Sequence, residues 1–352
     1  MHAGFELELL APKARTRVDL AEALAGAVGG SVEHGLKLLR AKVTPGGALT
    51  ECCELTGCVR VREPSGAVRF ELVDDYSVLE GLGPTGGAAG APGGWRLITD
   101  DPRLGRLLER EARGPRFGLE MLEGAAARLG LELGAPGHGP GCLPDQRLLR
   151  DPHGMVFAVM CDYPAERWRV TEVVTAPLRP EARREELERI VGLARHLGFK
   201  VPLQGSVHVH FDGARWRSTP MLRRLVLAWS RARERLLQRL RSNPNTAAWR
   251  APFTGPVLKV VAEADDALPF SELAERLLRA GLHKRSELNL LGVVLDRFVR
   301  GTVEARIFTG ALDAAQLLDD VALFEDFLEG VAEQAERVAG ERAARGDTVA
   351  TF

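Results

Sequence analysis

Three segments of the chain, far apart in the sequence, alternate hydrophobic side chains with side chains that can bind metal or phosphate. They occupy residues 4–9, 205–211 and 302–308. Residues two apart in a β-strand point to the same side of a sheet. Each segment is therefore predicted to be a strand that projects a polar pair from one face and buries its apolar residues on the other. The pairs are Glu6 with Glu8, His208 with His210, and Glu304 with Arg306.

These side-chain types suit the chemistry of metal-bound phosphate. Hard cations such as Mg²⁺ prefer carboxylate oxygens, and Glu172 adds a fourth carboxylate from another strand-like segment. Four carboxylates on one face would repel each other, and two or more metal ions would relieve that repulsion. Arg306 offers a planar cationic fork for a phosphoryl or carboxylate group. The histidines can coordinate metal or donate hydrogen bonds to phosphate, so the set indicates phosphoryl transfer.

Each strand taken alone also fits an ordinary exposed sheet face. The occurrence of three such strands in one chain favours a functional site over three ordinary exposed faces. The familiar phosphate-loop, dinucleotide-binding, zinc-protease and serine-hydrolase motifs are absent from the sequence. The glycine-rich stretch 83–94 lacks the lysine and following helix that a nucleotide loop requires, and we interpret it as a linker.

Composition limits the class of protein. The chain has 352 residues, of which 45% are apolar and 27% charged, with a net charge of −1. This predicts a soluble globular protein with no electrostatic attraction to nucleic acid or to a membrane surface. No apolar run reaches membrane-spanning length and no leader segment precedes the first strand, so we expect a cytoplasmic protein.

Five cysteines argue against a disulfide framework. Cys52, Cys53 and Cys58 lie close together, but a zinc site would need a fourth ligand, and no second cysteine pair supplies it. We therefore predict free thiols.

The elements around the polar strands alternate between helix and strand. Helices are predicted at about 19–28, with Asp19 as N-cap, and over much of 286–298. Polar and apolar residues alternate strictly in the site strands, which favours an α+β fold. We expect a curved, largely antiparallel sheet with helices on one face and a polar concavity on the other. A chain of this length can form one large domain or two ordinary ones.

Five blocks, in this order along the chain, resemble the amidoligase family. They are Gly-Phe-Glu-Leu-Glu at 4–8, Glu-Val-Val-Thr-Ala-Pro at 172–177, Gly-Ser-Val-His-Val-His at 205–210, Leu-Asn-Leu at 288–290, and Val-Glu-Ala-Arg-Ile-Phe-Thr-Gly-Ala-Leu-Asp at 303–313. That family belongs with the glutamine synthetase-like carboxylate–amine ligases, which include glutamate–cysteine ligases. The blocks span nearly the whole chain, from residue 4 to about 330. The resemblance therefore implies one catalytic domain over 1–352, in which the unaligned stretch at about 78–165 would be an insert or lid.

The resemblance implies an ATP- and Mg²⁺-dependent ligase with a glutamine synthetase-like fold. A substrate carboxylate would attack the γ-phosphate to give an acyl phosphate and ADP, and an amine or ammonia would then displace phosphate. The substrates implied are amino acids or peptides. Related enzymes vary in oligomeric state, so the resemblance is compatible with a homo-oligomer.

The resemblance also implies roles for individual residues. Glu8 and Glu172 would hold one metal ion, and Glu6, His208 and Glu304 would hold the ion that bridges the ATP phosphates. Nucleotide contacts would come from His210, Arg306, Arg285 and Asn289, substrate contact from Asp75, and catalysis from Glu304, Arg306 and His208.

Two positions depart from the family pattern. Ala305 stands where an aromatic residue is common, and Ser206 stands where the histidine strand often begins with Gly-Leu. We expect both departures to affect packing more than chemistry.

Two other functions fit the residues. One is a metal-dependent hydrolase that activates water with His208, His210 and the acids. The other is a non-catalytic module that binds nucleotide or peptide.

Overall fold

The computed structural model describes residues 1–12, 15–43, 49–75, 94–99, 102–111, 119–134, 147–153, 156–163, 170–295 and 301–344. The strands in these ranges are β1 (Ala3–Leu10), β2 (Ser31–Val43), β3 (Leu49–Arg62), β4 (Val68–Asp75), β5 (Gly94–Thr99), β6 (Glu132–Leu133), β7 (Arg147–Arg150), β8 (Val156–Tyr163), β9 (Val170–Thr175), β10 (Ser206–Asp212), β11 (Leu288–Asn289) and β12 (Thr302–Thr309). The α-helices there are α1 (Arg17–Val28), α2 (Pro102–Glu111), α3 (Leu119–Arg128), α4 (Pro180–His196), α5 (Thr219–Arg239), α6 (Gly255–Glu263), α7 (Phe270–Arg279), α8 (Leu291–Val294) and α9 (Ala314–Ala344).

The described strands form one sheet in the order β11-β12-β10-β1-β9-β4-β3-β5-β8-β7-β6, with β2 also paired to β3. Every pair of these strands is antiparallel. The α+β class with a large antiparallel sheet is therefore confirmed. The strands predicted to carry the site, β12, β10, β1 and β9, are neighbours in this order, although they come from opposite ends of the chain.

The core lies where one face of the sheet meets the helices. Phe5, Leu7 and Leu9 of β1 are fully buried, in one cluster with apolar residues of α1, α4, α5 and α9. The alternate residues of β1, Glu6 and Glu8, lie on the other face. The period of two in the sequence thus separates core from candidate site, as predicted.

Among the strands that carry the candidate site, β12 interrupts the alternation. Strict alternation would place Phe308 on the same face as Glu304. The register between β10 and β12 shifts by one residue, because Val207 lies opposite Phe308 whereas Val209 lies opposite Ala305. This irregularity keeps Glu304 on the site face while Phe308 packs against Phe324 of α9, with ring centroids 5.8 Å apart.

Phe324 is the centre of an aromatic cluster in this core. Its ring centroid lies 5.5 Å from Phe211, 6.0 Å from Trp229 and 5.6 Å from Phe327. We expect Phe324→Ala to lower the free energy of unfolding by about 3–5 kcal/mol, because it leaves a cavity among residues that cannot all relax. Urea denaturation measures this, with the exposed Asp326→Ala on the same helix as control. A loss of under ~1 kcal/mol would contradict this account of the core.

Two predicted details of secondary structure are wrong. The N-cap of α1 is Thr16, whose side chain accepts a hydrogen bond from the Val18 amide, and Asp19 is the N3 partner of a capping box. The stretch 286–298 is not mostly helical in its described part. It contains the short strand β11 and then the single turn α8, because residues 288 and 289 pair with β12; residues 296–300 lie outside the described part.

The predicted insert at 78–165 is described only in part. Its strands β5, β6, β7 and β8 extend the same sheet beyond β3. The predicted glycine-rich linker lies outside the described residues except for Gly94, where β5 begins. Of the helices described, none is long and apolar enough to cross a membrane.

Cys58 is a free thiol, fully buried on β3 beside Val73 and Val174; the side chains of Cys52 and Cys53 lie outside the described part. Burial raises the pKa of the Cys58 thiol to about 12. Since only the thiolate reacts, we expect iodoacetamide to label Cys58 at pH 8 at least ~10³-fold more slowly in the folded chain than in urea. Peptide mass spectrometry measures this, and equal labelling rates would contradict the buried position.

Candidate functional site

The strand register brings the predicted polar residues together in rows across the sheet. Glu6 of β1 lies opposite His208 of β10, and Glu8 lies opposite Glu172 of β9. On the far side of β10, His210 lies opposite Glu304 of β12. Side chains opposite each other on adjacent strands share a face, so four strands contribute to one cluster.

His208 lies at the centre of this cluster. Its Nδ1 atom is 3.3 Å from a Glu6 oxygen, 3.7 Å from a Glu304 oxygen and 3.9 Å from a Glu172 oxygen. Its Nε2 atom is 3.5 Å from a Glu8 oxygen. All four carboxylates predicted from the sequence therefore surround one imidazole, which is itself buried.

His210 forms the second imidazole of the cluster. Its Nε2 atom lies 3.0 Å from the Oε1 atom of Glu6, while its Nδ1 atom lies 3.1 Å from the Thr302 hydroxyl of β12. Glu6 therefore contacts both histidines, one through each carboxylate oxygen.

The Glu304 carboxylate is hydrogen-bonded by Asn289, on the edge strand β11, and by Arg306 of its own strand. The Asn289 side-chain amide donates a hydrogen bond of 2.6 Å to its Oε2 atom, and the Arg306 guanidinium donates to Oε1. Asn289 is itself fixed, since its Oδ1 atom accepts from the Leu291 amide at 3.0 Å. The Nε atom of Arg306 is buried and has no hydrogen-bond acceptor in the described part, so this side chain retains a donor beside Glu304.

The electrostatic environment keeps the central acids ionised. Burial alone would raise the pKa of Glu6, but the opposing influence of His210 and His208 prevails and leaves that pKa well below its ordinary value. Burial opposes ionisation of Glu304 in the same way, and Arg306 and the histidines lower its pKa. The pKa of Arg306 is raised, because the attraction of Glu304, Glu6 and Glu8 outweighs its burial.

Two overlapping groups of ligand atoms have the spacing that a metal ion requires. Glu6, Glu172 and His208 form one group, and Glu6, His210 and Glu304 form the other, with the ligand atoms of each within 4.8 Å of one another. This grouping differs from the division that the resemblance implies, in which Glu8 accompanies Glu172 and Glu6 belongs to one ion only. Carboxylates that converge in a buried place fit hard divalent cations.

Ser206 faces the cluster rather than the apolar side. Its hydroxyl lies 3.0 Å from Glu8 Oε2 and 3.0 Å from His208 Nε2. The expectation for Ser206 rested on a place on or beside the apolar side, and that placement is wrong because Ser206 shares the site face with His208. Its effect on packing or chemistry stays a prediction. Ala305, by contrast, is fully buried in the core.

The described contacts of the cluster do not test two of the predicted site residues, Arg285 and Asp75. Arg285 lies exposed in the loop before β11, where its carbonyl accepts from the Ala251 amide at 2.7 Å. Asp75 ends β4 opposite Val170, but its side chain lies outside the described residues. Their roles stay predictions.

A second charged group, not anticipated from the sequence, adjoins the cluster on the same face. Glu71 of β4 accepts from Lys37 of β2 at 2.7 Å and from Arg60 of β3 at 2.9 Å. Although burial lowers the pKa of Lys37, the attraction of Glu71 and Glu172 raises it overall. The charged face therefore continues across β9 and β4 to β2. Only recognition of β2 as a strand would have revealed Lys37.

Comparison with known proteins supports one assignment. A model of the family described as "putative amidoligase enzyme" matches residues 1–328. Searches of curated proteins and of solved structures gave no match.

Proposed function

The chain belongs to the amidoligase family, and from this premise we propose that it is an ATP- and Mg²⁺-dependent ligase joining a carboxylate to an amine or ammonia. One observation carries the proposal: four carboxylates from β1, β9 and β12 surround His208 within 3.9 Å. A ligase of this kind must gather several negative phosphate oxygens and a substrate carboxylate. Divalent cations held by carboxylates make that possible.

The donor set fits the metal. Oxygen ligands dominate, and the two groups of ligand atoms share Glu6, which suits a pair of neighbouring Mg²⁺ ions. Such ions, when bound, neutralise phosphate charge. Glu6, Glu172 and His208 would hold one ion, and Glu6, His210 and Glu304 the other. Glu8 is buried, with a carboxylate oxygen 3.5 Å from His208 Nε2. It would complete the first group.

In the proposed reaction an oxygen of the acyl substrate's carboxylate bonds to the γ-phosphorus of ATP and ADP leaves. The amine nitrogen then bonds to the acyl carbon, inorganic phosphate leaves, and the amine gives up a proton. Arg306 would orient the phosphoryl group through its guanidinium, whose buried Nε–H has no acceptor within the described residues. Asn289 would hold Glu304 in place.

The same proposal includes the details that the family alone leaves open. We propose a glutamine synthetase-like sheet, one catalytic domain over 1–352, amino-acid or peptide substrates, and nucleotide contacts from His210, Arg306, Arg285 and Asn289. Asp75 is proposed to contact substrate. A cytoplasmic location would supply ATP and Mg²⁺, and we propose no partnership with membrane or nucleic acid.

The experiment is a coupled assay of ADP release with Mg²⁺, a panel of amino acids and peptides as acyl donors, and ammonia or amino acids as acceptors. The proposal expects ADP and phosphate in equal amounts, with an amide product found by mass spectrometry, only when donor and acceptor are both present. ADP release equal in the presence and absence of every donor and acceptor would contradict it.

The two alternative functions give different results in this assay. A hydrolase would turn over a substrate without nucleotide and prefer Zn²⁺ or Mn²⁺. A binding module would bind ATP, seen by calorimetry, and release no ADP.

A further inference from the structure

Ser206 forms a hydrogen-bonded link between two of the candidate metal ligands. Its backbone N–H donates to Glu8 Oε2 at 2.7 Å, and its hydroxyl lies 3.0 Å from that same oxygen and 3.0 Å from His208 Nε2. All three residues are at most 5% exposed. Water therefore does not compete for these bonds, and each proton must have a definite place.

The direction of this link follows from what each group can donate. An ionised carboxylate only accepts, so the single hydroxyl proton of Ser206 points to Glu8. The serine oxygen must then accept, and the donor that faces it is the Nε2–H of His208. The chain of bonds runs from His208 Nε2–H to Ser206 Oγ–H to Glu8 Oε2.

This direction has a consequence at each end. Nδ1 faces Glu6, Glu304 and Glu172 at 3.3, 3.7 and 3.9 Å. With the proton on Nε2 and a cation bound among these acids, the lone pair of His208 is on Nδ1. At the other end, Oε2 of Glu8 accepts two hydrogen bonds from Ser206, and Oε1 lies 3.5 Å from His208 Nε2. These contacts fix the orientation of the Glu8 carboxylate.

We propose that Ser206 is a positioning residue that sets the tautomer of His208 and fixes the orientation of the Glu8 carboxylate. It thereby prepares both residues for a hard divalent cation. Groups that hydrogen-bond to metal ligands fix ligand orientation and commonly change metal affinity 10- to 100-fold when removed. The assignment rests on the cation site proposed above, and it concerns a position where the sequence departs from the family pattern.

The test measures Mn²⁺ binding by electron paramagnetic resonance, with no nucleotide or substrate present. Ser206→Ala removes the hydroxyl and keeps the backbone N–H bond to Glu8, so it isolates the proposed link. We expect Mn²⁺ affinity to fall roughly 10- to 100-fold in Ser206→Ala and to stay within about 3-fold of wild type in Ser206→Thr, which keeps the hydroxyl. Unchanged affinity in Ser206→Ala would overturn the proposal.

A second measurement reads the tautomer in the wild-type protein, and a variant serves only to assign the signals. In [¹⁵N]histidine-labelled wild-type protein with Mg²⁺, long-range ¹⁵N–¹H spectra should show His208 protonated at Nε2 and not at Nδ1, with His208→Gln used to assign its signals. A proton on Nδ1 would overturn the proposal. Wild-type protein that binds Mn²⁺ but never releases ADP with any donor would remove the proposed function and leave the role of Ser206 intact.

Discussion

Glu304→Gln should lower the rate of ATP-dependent amide formation by on the order of 10³-fold, equivalent to about 4 kcal/mol of transition-state stabilisation. Three features make this effect large. Glu304 belongs to one of the two candidate ligand groups, it contacts Arg306, and it accepts the 2.6 Å bond from Asn289. A glutamine keeps the size but loses the charge, so the cation and the arginine lose their common partner.

The measurement is kcat/KM in the ADP-release assay, with the donor and acceptor found by the screen. Glu132→Gln is the matched control, because Glu132 lies exposed on β6, at the opposite end of the same sheet. It should keep the wild-type rate. Thermal melts in EDTA should show that Glu304→Gln is folded. A loss of less than ~10-fold would mean that Glu304 takes no part in the chemistry.

The composition of the site could be anticipated because strand alternation is local. The spacing of Glu6 and Glu8, or of His208 and His210, places both side chains of a pair on one face wherever the strand lies. The core side of β1, with Phe5, Leu7 and Leu9 fully buried, follows from the same pattern. Alternation within a strand does not show which strands pair with each other. Only the family resemblance implies that β12, β10, β1 and β9 lie side by side.

Other features depend on contacts distant in sequence and could not be read in this way. β2 was missed because Leu38 and Leu39 break the alternation and Gly35 interrupts it, yet the strand pairs with β3 over most of its length. β11 lies in a stretch that the sequence predicts to be mostly helical, because its two residues have no local strand signal and are defined by pairing with β12. The register shift in β12 and the hydrogen bonds of Ser206 likewise arise from tertiary context.

The shared position of Glu6 leads to the second large effect, on metal binding. Glu6 contributes to both ligand groups, whereas Glu172 and Glu304 each contribute to one. We therefore expect Glu6→Gln to abolish Mn²⁺ binding at both positions, while Glu172→Gln and Glu304→Gln each remove one ion. Metal titration followed by electron paramagnetic resonance gives the number of ions per chain for each variant.

Stability provides an independent readout of the same prediction. A ligand at 100 times its Kd stabilises the folded state by about 2.7 kcal/mol, so saturating Mn²⁺ should raise the Tm of wild-type protein and leave that of Glu6→Gln unchanged. In EDTA the variant should be less stable than wild type, because the lowered pKa of Glu6 shows that its attraction to His210 and His208 outweighs the cost of its burial. The comparison is therefore the change in Tm that Mn²⁺ causes in each protein. If Glu6→Gln lost only one ion, the two groups would not share a ligand, and the division implied by the family resemblance, with Glu6 at one ion only, would be the better description. If it bound as many ions as wild type, Glu6 would be a ligand of neither ion.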